Sequence, residues 1–226
     1  MEKTADLIYG DIFRDKYARM RINIGISLLN PFLKENAKVL DLGCYTADLL
    51  KVLPSPIDYY GIDADGSALK IANQRGAKTI RVDLENEAIP LNQEFDIVIA
   101  AEILEHLKDP ERLIQQIKHL LKKNGVALIS LPNECTIYHR IKVLFGKGID
   151  GTGFASHYHL HFPTLKQNNE FIEKHFKIIK RRYWVHTDVG GVLGKILGRV
   201  SDKVWLSLAN ARPSLFARGV IYLCRK

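Results

Sequence analysis

A doubly wound α/β sheet, mostly parallel, is the fold class that these 226 residues predict, and three observations carry it. Short apolar runs alternate with amphipathic stretches from residue 38 to residue 131, the order of βαβ units with right-handed crossovers. One run, F-D-I-V-I-A-A at 95–101, is apolar almost throughout, as a strand covered on both faces must be. Asp41, Asp63 and Asp83 each stand at the end of a predicted strand, with Ala101 at the end of another. Ligands of such sheets sit beyond the carboxyl ends of the strands, so four strand tips converge on one crevice.

Residues 1–36 read as a helical cap, with Ile8, Ile12, Ile22, Ile26 and Leu29 among polar residues. Tyr9, Phe13 and Tyr17 share a face at four-residue steps, which suits packing against the sheet. The core, 37–184, predicts strands at 38–42, 58–62, 78–82, 95–101 and 125–131, and helices at 46–53, 66–75 and 109–123. Pro110 suits the first turn of the third helix, while Lys122, Lys123 and Gly125 mark its end. Between 134 and 163 lies a glycine-rich stretch holding His139, His157, His159 and His161, long for a plain connection and suited to a substrate loop. A helix at 165–175, a strand at 176–184 and a last strand at 218–225 follow.

An insertion, 185–217, separates the last two strands. Val189, Val192, Leu193, Ile196, Leu197, Val200, Val204 and Leu208 keep helical spacing, and Gly190, Gly194 and Gly198 add a small-residue stripe. Lys195, Arg199, Asp202 and Lys203 exclude a bilayer span. Three roles stay open for the insertion: docking on the body, contact with a protein partner or second copy (a homodimer), and peripheral contact with an anionic membrane. One domain, 1–226, is expected, made of the cap, the core, the insertion and the closing strand 218–226.

The formal charge is +8, but 12 basic and 2 acidic residues fall between Lys174 and Lys226, leaving 21 basic against 23 acidic elsewhere. The positive field therefore belongs to the C-terminal part, where it favours an anionic partner. Cys44, Cys135 and Cys224 are far apart and lack metal spacing, so they read as unpaired thiols of a reducing compartment. The N-terminal residues hold no apolar run of the signal-peptide kind, and a cytoplasmic protein is expected.

K-V-L-D-L-G-C-Y-T-A-D-L at 38–49 organises the rest. A buried strand ending in Asp41 turns at Gly43, and Asp63 stands twenty positions on, the spacing that sets a carboxylate on a ribose diol. A dinucleotide motif would need glycines where Tyr45 and Asp48 stand, and Asp41 would repel a pyrophosphate while suiting a cation.

The stretch resembles motif I of class I S-adenosylmethionine-dependent methyltransferases, V-L-D-x-G-C-G-x-G. It matches at Val39, Leu40, Asp41, Gly43 and Cys44 and departs at Tyr45 and Ala47. The resemblance implies a Rossmann-like sheet with an antiparallel last strand, an N-terminal lid, and S-adenosyl-L-methionine as cofactor. It implies Asp41, Gly43, Cys44 and Tyr45 at the methionine part, Asp63 and Ala64 at the ribose, Asp83 and Leu84 at the adenine, and the Ala101 carbonyl near the methionine. Glu102-x-x-Glu105-His106 looks like the cation-binding segment of quinone-biosynthesis O-methyltransferases, but the same wording occurs in relatives with no evident metal, and no metal is expected. The histidines at 157, 159 and 161 lack an accompanying carboxylate or cysteine at ligand spacing. His106 is the candidate catalytic base.

From S-L-P-N through the R-I-K-V-L-F-G-K segment to H-x-H, the order resembles the MetW-like, methyltransferase type 11–12 branch; with motif I this covers about residues 35–183. An enzyme methylating oxygen or carbon of a small or lipid-linked acceptor is expected. The alternative is a catalytically weak regulatory or scaffold protein that partners a biosynthetic enzyme. Nucleic acid is not an expected substrate, because no N-P-P-Y is present and Asn133 in L-P-N-E is a poor substitute.

Overall fold

The computed structural model describes residues 16–54, 56–149, 159–185 and 201–226. In chain order the elements are α1 (Lys16–Leu29), β1 (Lys38–Leu42), β2 (Asp58–Asp63), α2 (Gly66–Gln74), β3 (Lys78–Arg81), β4 (Phe95–Ala101), α3 (Pro110–Leu120) and β5 (Leu121–Pro132). Then come α4 (Ile137–Leu144), α5 (Leu165–His175), β6 (Lys177–Trp184), α6 (Asp202–Ala211), α7 (Pro213–Phe216) and β7 (Gly219–Arg225).

Seven strands form one sheet in the order β3-β2-β1-β4-β5-β7-β6. All pair in parallel except β7, which runs antiparallel to both β5 and β6. The order reverses between β1 and β4, which places the crevice there. Successive residues of each strand point to opposite faces, so Val39, Ile97, Ile99 and Leu128 pack under α1 and α2. Leu40, Val98, Ala127 and Ile129 pack under α3 and α5 on the other face.

Local signals set the helix starts. Asp65 caps α2 by accepting from Ser67 N at 2.8 Å, Asp109 caps α3 through Arg112 N at 3.1 Å, and Thr164 with Gln167 forms a capping box for α5.

Four expectations change. The helix expected at 46–53 is only a 3₁₀ turn, Asp48–Lys51, because Tyr45 and Ala47 adopt left-handed conformations just before it. The helix expected to run to 123 stops at Leu120, and Lys122 in β5 pairs with Asp96 at 2.8 Å instead. Gly125 does not end that helix; a Cβ there would lie 2.9 Å from Phe95 O, so glycine lets β5 approach β4 where their register shifts. The stretch 134–163, read as irregular, holds α4.

Of the cap, Tyr17 is buried, while Tyr9 and Phe13 lie outside the described residues. Of the insertion, 186–200 lies outside them too, with its glycine stripe. Its remainder docks on the body: Ala209 is buried with Val185 and Ala217, and Lys16 pairs with Asp202 at 2.7 Å. Among the described residues, no helix is long and apolar enough to cross a membrane.

Candidate functional site

A cavity of about 690 Å³ opens at the carboxyl ends of β1, β2 and β4 and is walled on one side by α1 through Ala18, Arg21, Ile22 and Gly25. Asp41, Gly43, Cys44, Tyr45, Asp63, Ala64, Asp83, Leu84, Ala101 and His106 all line it. Sequence reading therefore singled out residues that the fold brings together.

The β1 loop is shaped by backbone donors. Gly43 N and Cys44 N donate to Ile62 O at 2.8 and 3.0 Å, which folds the loop across the tip of β2. Gly43 has φ +73, and a Cβ there would meet Ile103 Cδ1 at 2.6 Å, so no other residue fits without displacing a wall of the cavity. Tyr45 (φ 46) and Ala47 (φ 54) hold the same left-handed turn without glycine, at about 1–2 kcal/mol each. Tyr45 is half-buried and is one of the residues that line the cavity, which remains at about 690 Å³.

Asp63 accepts from Tyr45 N at 2.8 Å through Oδ2 and from Asp65 N at 2.9 Å through Oδ1. It thus ties the motif loop to the start of α2. Asp83 accepts from Glu85 N at 2.9 Å and Asn86 Nδ2 at 2.7 Å; the Asn86 amide first, then the Glu85 N–H, hold its carboxyl below the usual range.

Asp41 is buried and accepts the Tyr59 hydroxyl. Burial pushes its carboxyl up to about 7 against the lowering by Tyr59, and Asp63 adds repulsion. A carboxyl raised on folding binds more protons when folded, so its share of stability falls as pH rises from about 4 to about 7. Asp41→Asn is expected to raise apoprotein stability at about pH 8 by roughly 2–4 kcal/mol, with no gain at about pH 4. Urea unfolding at the two pH values checks this; a gain of equal size at both would show that ionisation of Asp41 is not its source.

The acceptor side departs from expectation. Leu104–His106 is one 3₁₀ turn, and Glu102, with φ 53, turns away from its two partners in the motif. Its carboxylate accepts from Arg21 Nη1 at 2.9 Å and from Ser130 Oγ at 2.5 Å. Glu105 is 2% exposed, and neither of its oxygens has a hydrogen-bond partner among the described residues. Burial first, then the Glu102 charge, push its carboxyl well above the usual range.

His159 takes the place that Glu102 leaves. Its Nε2 and that of His106 each lie 4.0 Å from Glu105 Oε1, and the two rings meet edge to face at 4.9 Å. Glu134 orients His159 by accepting at Nδ1, 3.0 Å, and pairs with Arg218 at 2.6 Å. Glu105, His106 and His159 bring three donor atoms within 4.8 Å of one another, a set that could hold a divalent ion or share a proton. A carboxylate does accompany the loop histidines after all, from distant positions. His161 instead bonds Leu107 O at 2.8 Å, and His157 lies outside the described residues.

Tyr59, Arg21, Ser130, Glu134 and Arg218 went unread in the sequence. Tyr59 meets Asp41 through the β1–β2 register, in which it lies opposite Val39, and no local pattern in the sequence gives that pairing. All three cysteines are free, and burial raises the Cys44 thiol, which leaves it an inert part of the wall.

Comparison with known proteins accords with this geometry. The chain is 25% identical over 175 residues to a ubiquinone biosynthesis O-methyltransferase of Glaesserella parasuis, covering 67% of this chain and 74% of the relative. It is 32% identical over 123 residues to a carboxy-S-adenosyl-L-methionine synthase of Campylobacter hominis, covering 50% and 52%. It spans about half the length of most of the curated relatives it matches. The fold matches N-methyltransferase NodS of Bradyrhizobium japonicum, solved with S-adenosyl-L-homocysteine, at a TM-score of 0.59 and 14% identity over 96% of this chain and 90% of that one. A family model described as a methyltransferase domain matches residues 14–185. The chain belongs to that methyltransferase family, on the class I, S-adenosylmethionine-dependent fold.

Proposed function

We propose that the chain moves the methyl group of S-adenosylmethionine onto a hydroxyl oxygen of a small or lipid-linked acceptor. One observation carries the reading: a single cavity is lined by the acidic strand tips on one side and by the His106 imidazole on the other. Asp63 suits the ribose diol, the Asp83–Leu84 turn the adenine, and Asp41 with the Gly43–Tyr45 backbone the cationic methionine end. His106 would take the proton of the acceptor hydroxyl as its oxygen attacks, and S-adenosylmethionine would supply the methyl group, its sulfur departing as a neutral thioether. The similarity to ubiquinone biosynthesis O-methyltransferase supports a hydroxyl acceptor. Tyr45 and Ala47 hold the motif loop in its left-handed turn beside an unfilled cavity, which favours a cofactor-binding enzyme over a scaffold.

Calorimetry is expected to show micromolar binding of S-adenosylmethionine and S-adenosylhomocysteine. Methyl-labelled cofactor is expected to label hydroxylated acceptors, and His106→Ala to lower kcat by about 10²–10⁴ with cofactor affinity unchanged. Heat with neither ligand sinks the reading. Mass spectrometry of the purified protein that found a carboxylated cofactor would point to the chemistry named for the Campylobacter relative.

A further inference from the structure

The apolar stripe of α4 faces outward. Ile137, Ile141 and Leu144, continued by Phe145, fall at steps of four, three and one, which is one face of a helix. All four are exposed, Leu144 by 80% and Phe145 by 75%. On the opposite side only His139 is buried, with Nδ1 2.9 Å from Thr136 Oγ1 and Nε2 3.8 Å from Glu134, while Val143 one turn on is exposed. Among the described residues, nothing covers that apolar stripe.

Charge says what covers it. Residues 135–149 contain no Asp or Glu, and Arg140 and Lys142 flank the stripe on either side, with Lys147 just beyond. Arg140 Nε bonds Cys135 O at 2.9 Å and Lys142 Nζ bonds Ile149 O at 2.8 Å, contacts that fix both side chains without neutralising them. At 1.5 Å per residue α4 is about 12 Å long, far too short to bury the ~800 Å² per partner of a standard protein interface. A short helix with large apolar side chains between cations suits the headgroup boundary of an anionic bilayer.

We propose that α4 is a membrane-contact helix, which inserts Leu144 and Phe145 among anionic lipids while Arg140, Lys142 and Lys147 meet the headgroups. This contact requires nothing of methyl transfer, yet Glu134 joins α4 to the histidine side of the cavity, through His139 and His159. A lipid-linked acceptor would reach the cavity from that side.

Vesicles of phosphatidylcholine, alone or with about 30 mol% phosphatidylglycerol, test this by co-sedimentation of the whole chain. The chain is expected to bind the acidic vesicles at least about tenfold better, and added salt to weaken that binding. The double variant Leu144→Ser/Phe145→Ser is expected to lose at least about tenfold on acidic vesicles, with unfolding and cofactor binding unchanged. Absence of binding by the unaltered chain, equal binding by the double variant, or an oligomer that the double variant dissociates would each overturn the proposal. The last would assign the face to a second copy.

Discussion

Asp63→Ala is expected to lower affinity for S-adenosylmethionine and S-adenosylhomocysteine by at least about 100-fold. The carboxylate serves the site twice. On the proposed reading it accepts from the ribose diol, where a charge-assisted hydrogen bond contributes about 1.5–3 kcal/mol. It also accepts from Tyr45 N and Asp65 N, at 2.8 and 2.9 Å, which hold the motif loop against the start of α2. Losing both roles exceeds the ~2.7 kcal/mol that corresponds to a factor of 100. Asp63→Asn keeps an acceptor for one backbone N–H and is expected to fall between the two. Calorimetry with both ligands checks this series; undiminished affinity in the alanine variant would remove the ribose assignment.

Glu134→Ala is expected to cost about 3 kcal/mol of stability and to flatten the acid limb of the stability profile. Burial alone would raise this carboxyl, but the hydrogen bond from His159 and the Arg218 guanidinium outweigh it and pull the group down to about 2. A group lowered on folding stabilises fully above its unfolded value, 4.5, and that share is lost as pH falls towards about 2. The span corresponds to on the order of 3 kcal/mol. Urea unfolding between about pH 6 and about pH 3 is expected to show a steep loss in the natural chain and a shallower one in the variant. Parallel curves would mean that Glu134 does not carry the linkage.

The centre of the sheet was legible because β1, β4 and β5 are largely apolar, and Asp41 and Asp63 stand at or next to the ends of β1 and β2. The acceptor side was not. His159, Glu134 and Arg218 meet across as many as 84 positions, and no local pattern encodes that meeting. Glu102, Glu105 and His106 resembled one contiguous segment, but a left-handed backbone at Glu102 turns it away and hands its carboxylate to Arg21 and Ser130. The helix expected after motif I failed for the same kind of reason at Tyr45 and Ala47. α4 escaped notice because its eight residues make only about two turns, too short for an apolar period to stand out.

The Arg21–Glu102 pair reaches beyond electrostatics. α1 roofs the cavity, and this contact fastens the roof to the tip of β4, while the same guanidinium lies 4.9 Å over the Trp184 ring. Any change in the width of the cavity that moves α1 must therefore first break this ion pair and slide the guanidinium off the indole.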